Sequence, residues 1–260
     1  MTSKRRKVLA GALVVGNEIL IGKTRDTNTL FLAEELMKRG IKLSRWAIVP
    51  DEMGMIGTEL KRFIDDGFEL VVVSGGMGPT HDDITVDAVA HGLGLPLVFH
   101  KELYRRMLEK WRRRNPDSEM PESAKRGLDK IAYVPQDFDL VNNENGMVEG
   151  LVGSVNKGET IVFILPGVPR EYKGIIMTRK FQDYLPLGRS SDMTIMEVLY
   201  RGNESRIASF LEDLQEEHPE VDIGSYPQGP MRVIVRVTGD QEEVERVIPL
   251  IRERAKELEG

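Results

Sequence analysis

Hydrophobic and polar positions along the chain fall into two regimes. Over roughly the first hundred residues, continuous β-branched runs alternate with stretches whose apolar side chains recur every third or fourth position. The runs "VLAGALVV" (8–15), "IKLSRWAIV" (41–49) and "FELVVVSGG" (68–76) predict strands, the last a central one because it is apolar throughout. Between them, "DTNTLFLAEELMKRG" predicts a helix with Asp26 as N-cap, Leu32, Leu36 and Met37 on its apolar stripe, and Gly40 just past its end. Residues 53–66 predict a second helix stopped by Gly67, and "DDITVDAVAHGLG" a third. Strands joined by helices of this length imply right-handed crossovers and a mostly parallel sheet covered on both faces, a three-layer α/β/α unit. Beyond it come a basic helix over 101–114 with a solvated face, a Pro- and Asn-rich region to Gly150, and "ETIVFILPGVPREYKGI", a buried strand turning into a helix.

From about residue 190 the order becomes β-α-β-β-α. The alternation of "MRVIVRV" fits a sheet with one wet face. The pattern predicts an α/β domain over 1–185 and a small α+β domain over 190–260 with KH-like order, joined at "YLPLGRSS". The small domain lacks a GxxG loop and its helices are rich in glutamate, which argues against RNA binding.

Composition narrows the chemistry. The chain has 260 residues, a formal net charge of -6, no cysteine and four histidines. The negative balance argues against a dedicated nucleic-acid binder. The missing cysteines exclude disulfides, thiolate metal sites and cysteine nucleophiles, so a metal would sit on oxygen ligands, as magnesium or manganese does. No run approaches the roughly 18 apolar residues of a membrane span. The basic head and short apolar run at the start read as a buried strand rather than a signal peptide, giving a cytoplasmic protein.

The chemistry centres on "VVVSGGMGPTHDDITVDAVA" (71–90), where a strand empties into a Gly-Gly-x-Gly turn. Glycines at the carboxyl end of a parallel strand let backbone amides approach an anion, and a helix start adds a positive dipole end. Two aspartates follow where a phosphate loop would carry lysine. A divalent cation between them and phosphate oxygens reconciles the two. Thr80 and Asp83 also have capping-box spacing, which gives Asp83 a structural reading beside the functional one; Asp82 has no such explanation. His81 and Asp87 read as bystanders. "GALVVGNE" has the spacing of a P-loop without its lysine, and neither GxGxxG nor GxSxG occurs after a strand.

"GNEILIG", "DTNTLFLAEEL", "SGGMGPTHDDIT", "NENGMVEG" and "LPGVPREYKGI", in that order, resemble CinA-type proteins, relatives of the MoaB/MogA molybdopterin-biosynthesis domain. The likeness covers about residues 8–178, and "NESRIASFLEDL" and "IGSYP" resemble the smaller domain that follows in such proteins. "GPTHDD" is also similar to the hydrolase-like domain of some eukaryotic FAD synthases. The resemblance implies a MoaB/MogA-like fold with a ligand at the strand ends, molybdopterin or a phosphoanhydride nucleotide such as ADP-ribose, and a homodimer. By position it implies a site made from Asn17, Glu18, Asp26, Asn28, Gly75, Gly76, Gly78, Thr80, Asp82, Asp83, Asn143, Gly146, Gly167 and Glu171. The loop written Asn-Pro-x-Gly-x-Ala-Pro-Gly in the family departs here, with Glu144, Val148 and Glu149 replacing Pro, Ala and Pro. The resemblance is to a stand-alone form, so the deamidation of nicotinamide mononucleotide by the longer proteins' amidohydrolase domain is not expected.

Three functions follow as expectations. The first is metal-dependent hydrolysis of a nucleotide pyrophosphate, ADP-ribose or FAD, to give AMP. There Asp82 and Asp83 hold magnesium, manganese or cobalt, the glycine amides cradle a phosphate, and Asp26 or Glu18 directs the water. The second is molybdopterin binding or adenylylation in molybdenum-cofactor assembly, and the third a non-catalytic nucleotide-binding module.

Overall fold

The computed structural model describes residues 8–186 and 193–259, and the chain forms two compact units. The first contains β1 (Ala10–Val15), α1 (Asn17–Leu20), α2 (Asn28–Met37), β2 (Leu43–Val49), α3 (Met53–Asp65), β3 (Leu70–Ser74) and α4 (Thr85–Leu93). It continues through β4 (Leu97–Phe99), α5 (Lys101–Arg114), α6 (Glu122–Ile131), β5 (Tyr133–Pro135), β6 (Asp139–Val141), β7 (Gly150–Val155), β8 (Thr160–Leu165), α7 (Pro169–Ile176) and α8 (Arg179–Asp183). Most of the "YLPLGRSS" joint lies outside the described residues.

The main sheet has the order β2-β1-β3-β8-β7-β6. Its first four strands are parallel, and β7 and β6 add an antiparallel edge. Alternate residues of the central strands feed separate cores, because successive side chains point to opposite faces. Leu13, Val71, Val73, Val162 and Ile164 pack with α3 and α4, through Leu60, Phe63 and Val89. Ala12, Val72 and Phe163 pack on the other face with Leu32 and Leu36 of α2 and Tyr172 and Ile175 of α7. The three layers expected from the alternation are thus present. Between α3 and α4 the backbones touch: a Cβ on Gly92 would overlap the Gly57 Cα, so the helices meet glycine to glycine.

Two expectations change. The Pro- and Asn-rich region over 115–150, to which the pattern assigned no element, holds α6, two short strands and the approach to β7. And α4 begins at Thr85, not at Asp82: Thr80 and Asp83 close a turn ahead of the helix, and Ile84 at the N-cap makes no side-chain capping bond. The pattern of a capping box is there, but it organises the loop.

The second unit runs β9 (Met193–Tyr200), α9 (Ala208–Glu217), β10 (Asp222–Gly229), β11 (Arg232–Asp240) and α10 (Gln241–Glu259), the expected β-α-β-β-α order. Its antiparallel sheet is ordered β10-β11-β9, and Val233, Val235 and Val237 bury one face against Val247 and Ile251 of α10 and Leu211 of α9. The Glu197–Arg236 ion pair lies on the opposite face, as the alternation along β11 requires. Among the described residues of the whole chain, no helix is long and apolar enough to cross a membrane.

Candidate functional site

The chain continues from β1 to β2 on one side of the sheet and to β3 on the other, so the order reverses at the β1–β3 pair. Loops leaving the strands part at such a point and open a crevice. Here a cleft of about 500 Å³ sits over the carboxyl ends of β1, β3 and β8, with Asp51 from the end of β2 on its rim. The loops are pinned to one another: the Gly75 amide donates to the Leu165 carbonyl (3.2 Å) and the Gly16 amide to the Val49 carbonyl (3.1 Å). Gly75 has φ +135°, and a Cβ there would overlap the Val15 carbonyl, so only glycine fits.

Of the expected residues, Glu18, Asp26, Asn28, Gly75, Gly76, Gly78, Asp82, Asp83, Gly167 and Glu171 line the cleft. The amides of Gly76, Met77 and Gly78 make no hydrogen bond among the described residues, while that of Gly75 is committed to β8. Asp82 is 69% exposed. The Thr80 hydroxyl first, then its own backbone, and more weakly His81 and Lys130, hold its carboxyl below the ordinary carboxylate pKa. Asp83 accepts from the Thr80 amide (2.9 Å) and hydroxyl, and so shapes the turn. Asp26 is the cap of α2: one oxygen accepts from the Asn28 (2.9 Å) and Thr29 (3.1 Å) amides, the other from the Thr29 hydroxyl (2.6 Å). Behind it Tyr172 is fully buried; burial, and then the Asp26 charge, push its hydroxyl pKa far up and keep it a neutral phenol. The Glu18 carboxylate makes no side-chain hydrogen bond among the described residues, whereas Asp51 accepts from the Asn17 amide (2.9 Å).

Asn17, Thr80, Asn143 and Gly146 do not line the cleft. Asn143 is buried and organises its loop instead. Its side-chain amide donates to the Val148 carbonyl (2.7 Å) and to Glu171 Oε2 (2.8 Å), and its oxygen accepts from the Asn145 amide (3.0 Å). Gly146 lies against the Glu171 carboxylate. Glu149, which stands where the family pattern has proline, is 1% exposed and pairs with Lys110 Nζ at 3.0 Å. Lys110 also donates to the Asn143 carbonyl (2.8 Å), and the Asn143 amide donates to Glu149. The basic helix α5 is therefore not only a solvated face, because Lys110 reaches inward to a buried charge.

Two charged cleft residues escaped the sequence: Asp51, legible only as the residue following a strand end, and Arg25, the one cation among the described lining residues. Against Arg25 stand Glu18, Asp26, Asp51, Asp82, Asp83 and Glu171. Among the described residues no three acidic or imidazole groups come together as a preformed metal cage. An exposed carboxylate, Asp82, beside one engaged by Thr80, Asp83, would suit a cation that takes its other ligands from water and phosphate, the habit of magnesium.

Comparison with known proteins agrees with this architecture. A family model described as a probable molybdopterin binding domain matches residues 11–181, and one described as the FAD synthase middle domain matches 193–257. Protein TK1472 of Thermococcus kodakarensis is 31% identical, with 97% of this chain and 99% of that protein covered. A putative competence-damage inducible protein of Clostridium acetobutylicum is also 31% identical, but the 94% of this chain that aligns spans 59% of its length. The solved structure of CinA, of unknown function, from Thermoplasma acidophilum is 30% identical with a TM-score of 0.60, covering 69% of this chain and 99% of that one. The chain belongs to the family of probable molybdopterin binding domains and, within it, to the CinA-like proteins.

Proposed function

We propose that the cleft binds a nucleotide phosphoanhydride together with a divalent cation and hydrolyses it to two phosphate monoesters, one of them AMP. The observation that carries this reading is the coexistence of unpaired amides at Gly76, Met77 and Gly78 with a cleft wall of six carboxylates and one arginine. The amides call for an anion, and the carboxylates repel one unless a cation lies between them. Asp82, ionised and exposed, is the residue that would hold the cation, with the free oxygen of Asp83 beside it. When bound, magnesium, manganese or cobalt would neutralise charge on the phosphate oxygens.

The rest falls to the chain. The turn amides hold one phosphate and meet the charge that develops on it. Glu18, whose carboxylate is unengaged, orients a water and takes its proton; Asp26 is less suited because both its oxygens already serve α2. The water oxygen bonds to phosphorus, the bridging P–O bond breaks, and the leaving phosphate departs with its electron pair. The test is incubation with ADP-ribose or FAD in magnesium, manganese, cobalt or EDTA, read for AMP. Metal-dependent AMP that falls at least about 100-fold in Asp82→Ala is expected; turnover undiminished in that variant overturns the assignment.

The match of residues 11–181 to a probable molybdopterin binding domain favours a second reading, binding or adenylylation of a pterin phosphate at the same turn. Tight molybdopterin binding with no AMP from any dinucleotide would select it.

A further inference from the structure

Asn28 opens α2 on the cleft wall and is 7% exposed. Its side-chain nitrogen donates to the Gly167 carbonyl at 2.9 Å and so joins the start of α2 to the turn ahead of α7. That bond fixes which way the amide faces. Asn28 Oδ1 is then a buried acceptor with no hydrogen-bond partner among the described residues. Buried polar atoms are rarely left so, and an orphan beside a cleft signals a group that arrives with the ligand. At neutral pH the oxygens of a phosphoanhydride are overwhelmingly acceptors, so Oδ1 repels them rather than binding them.

The two sides of the cleft therefore differ in polarity. Over β3 the amides of Gly76, Met77 and Gly78 offer donors; at the α2 start Asn28 Oδ1 demands one. We infer that Asn28 reads the head group of the ligand, not its phosphates: a hydroxyl or N–H donor of a nucleoside sits on Asn28 Oδ1 while the phosphates lie over the glycine turn. This rests on the phosphoanhydride reading above and adds to it an orientation and a requirement on the head group. A sugar hydroxyl and a base amine meet the requirement equally.

Calorimetric titration of wild type and Asn28→Ala with magnesium and either ADP or inorganic pyrophosphate tests it, since pyrophosphate has no head group. The variant should bind ADP about ten-fold more weakly and pyrophosphate as wild type does, because an unmet donor is felt only by the ligand that carries one. Equal loss for both ligands, or loss for neither, overturns the inference. Wild-type protein provides a second measurement that needs no folded variant. ADP lacking both ribose hydroxyls, or ADP with a dimethylated amine, should bind about ten-fold more weakly, and which of them does identifies the donor. Unchanged affinity for both analogues also overturns the inference. If wild type binds neither pyrophosphate nor ADP, the phosphoanhydride reading itself has failed, an outcome distinct from binding that ignores Asn28.

Discussion

Two loops flank the cleft, and they use their polar groups in opposite ways. In the turn over 75–83, the amides of Gly76, Met77 and Gly78 make no hydrogen bond among the described residues, and the Asp82 carboxylate is exposed. In the loop over 142–149, the buried side chains are engaged within the loop or with α5 and α7: Asn143 to Val148, Asn145 and Glu171, and Glu149 to Lys110. The first loop keeps its capacity for a ligand; the second exhausts its own in holding Glu171 steady. The contrast separates residues that would touch a ligand from those that only place them, although both sets belong to motifs of the same family.

Breaking the second loop should cost the most stability. Lys110→Met leaves Glu149 charged and buried, a loss of about 3 kcal/mol, at the lower end for such pairs because Arg106 stands 4.0 Å away. Replacing both partners with apolar residues should recover most of it; urea denaturation of the single and double variants measures both, and no recovery would mean that the pair does more than neutralise itself. A smaller loss, about 2 kcal/mol, is expected for Gly75→Ala, from the left-handed backbone and the Val15 carbonyl that its methyl would strike. Unaltered unfolding would show that the turn can shift.

The weakest effect concerns Asp82. Its folded pKa is depressed, so the stability it adds is present above the unfolded value near 4 and disappears as pH falls through the lower folded value. Asp82→Asn should lower Tm slightly at pH 7, with the gap closing below about pH 4. A gap that widens on acidification would contradict the sign of that shift.

The parallel half of the sheet was legible because β-branched runs such as 70–74 are long, apolar and cleanly ended by glycine. Strand β7 was not: "GLVGSV" holds two glycines and a serine, and its place comes from the antiparallel pairing with β8, a long-range fact. Helix α6 was hidden because only Gly127 and Leu128 of its ten residues are buried. In the cleft, sequence order could align Asn17, Asp26 and Asn143 with a motif, but not tell that the Asn17 amide goes to Asp51, that both Asp26 oxygens go to α2, or that Asn143 faces its own loop. Those are distances, and residue types do not encode them. Lys110 was missed for the same reason, lying among surface arginines with its partner 39 positions away.

The glycine-to-glycine meeting of α3 and α4 bears on how such a cleft can change over generations. Helices packed through side chains can drift, one rotamer or methylene at a time, and carry their loops along. Here Gly57 and Gly92 leave no such gradation, since any side chain at Gly92 collides with backbone. The turn that leads into α4 is thereby tied to a rigid neighbour. New ligand preferences would arise by changing what lines the cleft rather than by moving its floor, and a library randomised at Gly92 should return glycine.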